Sequence, residues 1–165
     1  MKKWLLLFVV MCLLTGCSAT QTFETVGDEA LIGTAAPAKQ IQLSLPEEAA
    51  VPTMESAAGS IYLCDGYMIA VQTLAGGDLG RTLKTLTGFT EDRLQMIRTE
   101  QAEMVRYDLS WSAAGEQGDQ ICRCVLLDDG AMHYAVTVMA PAENAGSLKD
   151  TWQDLMASVC LVSTD

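Results

Sequence analysis

The length, composition and charge of the chain limit what it can be. Its 165 residues are half hydrophobic and carry 10 basic and 21 acidic side chains, which gives a formal net charge of −11. This length suits one well-buried domain better than two. Because so acidic a surface repels polyphosphates, we predict no nucleic-acid partner, and solubility outside the cell is the simplest reason for the acidity.

The first 16 residues have the pattern of an export signal. Lys2 and Lys3 give a positive end, and an unbroken apolar run extends from Trp4 to Leu14. A membrane-spanning helix needs about 20 apolar residues, whereas a run about half that long is typical of a signal-peptide core. We therefore assign residues 1–16 to a signal peptide and exclude them from the fold.

The end of this run resembles the lipobox of bacterial lipoproteins. In Leu14-Thr15-Gly16-Cys17, small residues stand directly before a cysteine. The resemblance implies cleavage between Gly16 and Cys17, with diacylglycerol joined to the Cys17 thiol, fatty acyl chains such as palmitate carried at that residue, and no other cofactor. It also implies a protein anchored in the cell membrane through lipid, on the extracytoplasmic face. The alternative is an ordinary secretory signal in which Cys17 lies near the cleavage point by chance.

Beyond the cysteine, the chain divides into a spacer and one domain. Residues 17–38 begin with Cys17, whose lipidation the lipobox resemblance implies; the rest are small and polar with isolated apolar side chains, which predicts a flexible spacer. Residues 39–165 contain the regular hydrophobic patterns and form the single predicted domain.

Hydrophobic alternation predicts most of this domain to be strands. The predicted strands are Ile41–Leu45, Ile61–Cys64, Tyr67–Leu74, one or two within Leu94–Ser112, Ile121–Leu127 and Met132–Met139. Asp65-Gly66 predicts a hairpin turn with both residues at positive φ, and Asp128-Asp129-Gly130 predicts a second turn. Residues 47–59 and 113–119 are predicted to be loops.

Two helices are predicted among the strands. The first begins after Asp78, which can cap it, and ends at Gly88. The second follows Ser147, and the spacing of Ser147 and Asp150 resembles a capping box. Its core-facing stripe is Leu148, Trp152, Leu155, Met156 and Val159. Hairpins imply an antiparallel sheet, and amphipathic helices must bury their stripes against it, so the fold class is α+β with an antiparallel sheet flanked by helices.

From about Ile41 onward, the chain resembles the PsbP/Mog1 family. The features that resemble it are Leu45-Pro46, the Asp65-Gly66 hairpin, the Leu79–Leu86 helix, the Tyr107–Trp111 strand, CRCVLLDDGAMHYAVTVMAP at 122–141 and WQDLMASVCLV at 152–162. The resemblance implies an α/β/α sandwich and an accessory or adaptor protein that binds a larger assembly. It implies no active site, because the family has no shared one and a common fold does not establish an activity.

The cysteines of the domain are the strongest candidates for a disulfide, a metal site or a reactive thiol. Cys122 and Cys124 stand on one face of a strand, and Cys64, Cys160 or His133 could complete a site with them. Three interpretations remain open: small core residues, a disulfide that involves Cys64 or Cys160, and a metal site. Spacing does not decide among them.

The remaining polar candidates have simpler explanations. His133 is the only histidine and has no nucleophile motif nearby, so we predict a partly exposed strand residue. Asp128 and Asp129 precede a glycine between apolar strands and are turn formers, since further oxygen ligands for calcium are missing at regular offsets.

The sequence is therefore compatible with three functions. The first is a membrane-anchored extracytoplasmic lipoprotein that acts without catalysis as a binding or accessory module for an envelope protein. The second is a thiol- or metal-dependent envelope enzyme that uses Cys122, Cys124 and His133 in a cleft. The third is a solute-capture lipoprotein, although the chain is short for the two lobes that usually close around a solute.

Overall fold

The computed structural model describes residues 39–101, 103–115 and 118–163. Gly16, Cys17, the predicted signal peptide and the predicted spacer all lie outside the described residues. Within those ranges, no helix is both long enough and apolar enough to cross a bilayer.

A seven-stranded antiparallel sheet forms the centre of the domain, with the strand order β2-β3-β4-β8-β7-β6-β5. Its strands are β2 (Met54–Ser56), β3 (Gly59–Cys64), β4 (Tyr67–Ala75), β5 (Gln95–Gln101), β6 (Met104–Gly115), β7 (Gly118–Asp128) and β8 (Met132–Pro141). A separate two-stranded sheet pairs β1 (Lys39–Gln42) with β9 (Cys160–Ser163). Strands β2 and β5 are the two edges of the large sheet.

Two helices cover opposite faces of this sheet. Helix α1 (Leu79–Thr87) buries Leu83 completely, against Tyr107, Leu109 and Cys124 of β6 and β7. Asp78 accepts a hydrogen bond from the Arg81 N–H at its start, and a left-handed Gly88 ends it, as predicted.

Helix α2 (Lys149–Ser158) packs on the other face. Trp152 and Leu155 are buried there against Val125, Val136 and Val138, side chains that alternate with those facing α1. The α+β fold class, an antiparallel sheet between helices in an α/β/α sandwich, is confirmed.

Several local predictions are wrong for identifiable reasons. Ser147 does not cap α2, because its hydroxyl donates to the Asn144 carbonyl, and Leu148 occupies the N-cap position without a side-chain bond. At the first hairpin Gly66 has a positive φ of 78°, but Asp65 does not. Every residue with a positive φ in the described ranges is a glycine. The predicted loop at 113–119 is largely strand, because the β6–β7 ladder continues to the Gly115–Gly118 pair.

Two short strands were not predicted at all. Strand β2 interrupts the predicted loop 47–59 and pairs with β3, and β9 follows α2 and pairs with β1. The pairing with β9 places the beginning of the domain beside its end, so the predicted spacer joins the domain at a strand that is held by hydrogen bonds.

Candidate functional site

The two thiols of β7 lie in the core beneath α1. Cys122 and Cys124 are 0% and 2% exposed and pack with Leu83 and Leu126. Burial raises the pKa of Cys122 to about 11 and that of Cys124 to about 12. A nucleophilic or metal-binding cysteine needs a lowered pKa, so these thiols have the opposite of the electrostatic environment that such chemistry requires.

Cys64 and Cys160 lie apart from that pair. Cys64 ends β3, and burial, the largest influence, raises the pKa of its thiol. Cys160 is exposed in β9, with its Sγ 3.8 Å from Oε1 of Gln42. All four thiols of the described residues are free, and no cluster of three or more metal-ligating side chains occurs in those residues.

His133 is buried under α1, and the prediction of a partly exposed strand residue is wrong. The imidazole is 1% exposed, with Nδ1 2.7 Å from the Thr82 hydroxyl of α1 and Nε2 3.6 Å from a carboxylate oxygen of Asp128. One tautomer suits both neighbours: Thr82 donates to Nδ1, and the proton on Nε2 points toward Asp128. The group ties α1 to the sheet and does not open onto a cleft.

Asp129 anchors the turn between β7 and β8. Its Oδ1 accepts the N–H groups of Ala131 and Met132, and its Oδ2 lies 3.3 Å from the Tyr134 hydroxyl and 3.9 Å from Nζ of Lys39. Burial alone would raise the pKa of Asp129, but these donors and the Lys39 charge outweigh it and lower the pKa. The turn role predicted for Asp128 and Asp129 agrees with these bonds, since Asp128 likewise accepts the Gly130 N–H.

An apolar surface lies at the β2 edge of the sheet, on the face toward α1. We call it the β2–β3 patch and define it as Met54, Ile61, Leu63 and Met68. Met54 pairs with Ile61 and Leu63 pairs with Met68, so the four side chains share one face. Met54 is 65% exposed and Leu63 59%, which is unusual for large apolar side chains on the same face of adjacent strands.

On the opposite face, α2 covers only part of the sheet and leaves a groove of about 750 Å³. We call it the α2 groove. Its floor includes a row across three strands, in which Gln95 pairs with Ser110 and Ser110 pairs with Arg123, and its wall includes Trp152 and Met156. The Ser110 hydroxyl donates to the Gln95 side-chain oxygen at 3.2 Å, so the floor is polar where the wall is apolar.

Comparison with known proteins relates the chain to solved structures only. No protein-family model matches it, and no curated protein matches it. A protein of Bacteroides thetaiotaomicron VPI-5482 superimposes with a TM-score of 0.50 at 10% identity, over 76% of this chain and 45% of that one. This chain therefore spans less than half of that protein, and the likeness concerns the fold alone.

Two further solved structures match at lower scores. LpqN of Mycobacterium tuberculosis, which is involved in cell envelope biogenesis, has a TM-score of 0.49 at 12% identity, over 75% of this chain and 84% of LpqN. The Ran-binding protein Mog1p of Saccharomyces cerevisiae has a TM-score of 0.44 at 12% identity, over 73% of this chain and 89% of Mog1p. These roles belong to those two proteins.

The sequence patterns missed both surfaces. The alternation of Ile61 and Leu63 was visible, but a short partner strand at Met54 was not. It was also not visible that neither helix of the described residues covers this edge. The α2 groove depends on residues from 89 to 157. A signal existed for the β2–β3 patch: no lysine or arginine occurs between residues 40 and 80, in a stretch that holds several apolar strand residues.

Proposed function

We propose that this chain is a membrane-anchored extracytoplasmic lipoprotein whose domain binds a protein partner without catalysing a reaction. The lipid anchor at Cys17 follows from the Leu14–Cys17 pattern and the short apolar run before it. The non-catalytic role is supported by the burial of Cys122, Cys124 and His133. Their positions do not provide the cleft that a thiol- or metal-dependent enzyme would require.

The exposure of the β2–β3 patch is the observation that carries the proposal. Soluble monomeric domains scatter their exposed apolar side chains, and contiguous apolar areas are typical of interaction sites. Met54 and Leu63 project from neighbouring strands at a sheet edge, and Val51 just before β2 is 76% exposed. A partner that covered these side chains would gain about 1.5–3 kcal/mol for each one fully buried, before the cost of association.

The charge of the segment that carries the patch indicates the partner's chemistry. The segment from residue 40 to residue 80 contains no lysine or arginine. Its acidic residues are Glu47, Glu48, Glu55, Asp65 and Asp78. A partner surface with an apolar centre and a rim of lysine or arginine complements this edge, and the rim would speed association more than it would add affinity.

Site-specific photocrosslinking in the native membrane tests the proposal. A photoreactive amino acid at Leu63 should give one discrete covalent adduct with an envelope protein. The same amino acid at Ile97 is the matched control, since Ile97 is 68% exposed and lies on β5, the opposite edge of the same sheet. The adduct from position 63 should also disappear in a Met54→Asp background, because a carboxylate there would have to be buried in the interface.

Two outcomes would contradict the proposal. Equal adducts from positions 63 and 97 would mean that contact is non-specific. A Leu63 adduct that survives Met54→Asp, in a protein that remains folded by circular dichroism, would mean that the β2–β3 patch is not the interface.

A further inference from the structure

The α2 groove has a charge opposite to that of the rest of the molecule. The chain has a net charge of −11, yet the groove is lined by Arg93, Arg106 and Arg123 and by one carboxylate, Asp108. Basic side chains collected in a concave site of an acidic protein attract anions to that site.

One of these arginines is already committed to the fold. Arg106 forms paired hydrogen bonds with Asp108, at 2.8 and 2.9 Å, and also donates to the Met156 carbonyl in the last turn of α2 at 3.0 Å. These contacts neutralise the carboxylate of the groove and satisfy a carbonyl at the helix end. Arg106 and Asp108 therefore cancel, and Arg93 and Arg123 supply the uncompensated charge.

Arg93 and Arg123 are both held over aromatic rings. The guanidinium of Arg93 lies 5.3 Å from the centre of the Phe89 ring, and that of Arg123 lies 5.9 Å from the centre of the Trp152 ring. In the part of the chain that the structure describes, neither forms an ion pair within 4.0 Å of a carboxylate. Stacking fixes the plane of a guanidinium while its N–H groups remain able to bind an oxyanion in a fork.

The groove also offers an apolar surface beside these cations. Its accessible apolar surface comes from Ile97, which is exposed, and from the half-buried Phe89 at the β5 side, while Trp152 and Met156 line it as buried side chains of α2. A volume of about 750 Å³ lies within the range of small-molecule sites, in which apolar lining supplies area and a few polar groups set orientation.

We propose that the α2 groove binds a small organic anion, in which a carboxylate or phosphate group is joined to an apolar body. The anionic group is held by Arg93 and Arg123 near the Ser110 hydroxyl, and the apolar body lies against Phe89 and Ile97. Binding needs no closure of two lobes, because one face of the sheet, α2 and the segment between α1 and β5 form the site. This site is on the face opposite the β2–β3 patch and does not depend on the proposed docking partner.

Calorimetric titration of the full chain in phosphatidylcholine vesicles tests the inference, with protein-free vesicles as the blank. The probes are 2-naphthoate, 2-naphthyl phosphate and the neutral 2-naphthamide. We expect saturable one-to-one binding of at least one of the two anions, and at least tenfold weaker binding of the amide. Comparison of the two anions identifies which group the arginines prefer.

Three single variants locate the site. Arg93→Gln and Arg123→Gln should each weaken binding of the preferred anion at least tenfold, as expected for the loss of a charge-assisted bond. Arg98→Gln is the matched control and should leave affinity unchanged. Arg98 pairs with Tyr107 on β6, on the face toward α1, and makes an ion pair with Glu100 outside the groove.

The inference is overturned by any of three results: no saturable binding of either anion, equal affinity for the amide, or equal losses in Arg98→Gln and Arg123→Gln. Each variant changes an exposed side chain, so we expect the fold to remain intact. An unchanged thermal unfolding transition checks this for each variant.

Discussion

The Thr82 hydroxyl lies 2.7 Å from Nδ1 of His133, which joins α1 to β8 through a hydrogen bond that is buried at both ends. This bond explains why a lone histidine can lie in an otherwise apolar layer. Its second nitrogen faces Asp128 at the end of β7, so the ring of this β8 residue contacts both α1 and β7. The histidine that sequence patterns offered as a catalytic candidate therefore stabilises the α1 layer.

Thr82→Val should destabilise the protein by about 1–3 kcal/mol, because it leaves Nδ1 of His133 buried without a partner. Valine keeps the shape and the β-branch of threonine, so the change removes little besides the hydroxyl. Thr85→Val in the same helix is the control: its exposed hydroxyl bonds only to the Arg81 carbonyl one turn earlier. Urea unfolding of both variants measures the difference, and equal free energies of unfolding would refute the role given to the Thr82–His133 bond.

The buried thiols should make stability fall at high pH. Above pH 9 the Cys124 thiol ionises in the unfolded chain, while burial keeps it protonated in the folded protein until its pKa of about 12. The unfolded state then binds fewer protons, so the thiol's effect on stability is constant below pH 9, and stability is lost as the pH rises toward 12. Cys122 adds to the loss up to about pH 11.

Urea unfolding between pH 7.5 and pH 10.5 measures this loss in the native chain and in Cys124→Ala. The variant starts less stable because of the cavity it creates, but its stability should decline less steeply with pH. Parallel curves would contradict the assignment. Tyr134, whose pKa burial raises to about 12, contributes above pH 10 in both proteins and therefore cancels in the comparison.

Asp129 should stabilise the domain down to acidic pH. Its pKa is lowered in the folded state from an unfolded value near 3.8, so its contribution is complete above about pH 4 and is lost as the pH falls through the folded pKa. Asp129→Asn should cost about 1–2 kcal/mol at pH 7 and progressively less below pH 4. Asp119→Asn, at an exposed position of β7, should show neither effect, and a pH-independent deficit in Asp129→Asn would contradict the charge-based explanation.

The sheet and helices could be predicted because their signals are local. Alternation placed Tyr107, Leu109 and Trp111 on one face, and the structure buries them there beneath α1. Asp78 and Gly88 lie at the boundaries of α1, where their side-chain and backbone chemistry predicts them.

What could not be predicted depends on contacts between distant segments. Strand β9 has four residues and exists because β1 pairs with it, from more than a hundred residues away. The burial of His133 depends on α1 crossing that part of β8, and the exposure of Leu63 depends on α1 not reaching the β2 edge. Ser147 has the spacing of an N-cap residue, but its hydroxyl donates a hydrogen bond to the Asn144 carbonyl instead.

Intact-mass spectrometry of the protein purified from native membranes, combined with fractionation of a Cys17→Ser variant, tests the proposed membrane attachment most directly. We predict that the native protein begins at Cys17, carries fatty acyl chains on that residue and is found with the membranes, while Cys17→Ser is released from them. A native chain that keeps residues 1–16 without acylation, or a Cys17→Ser variant that remains equally bound to membranes, would contradict the account.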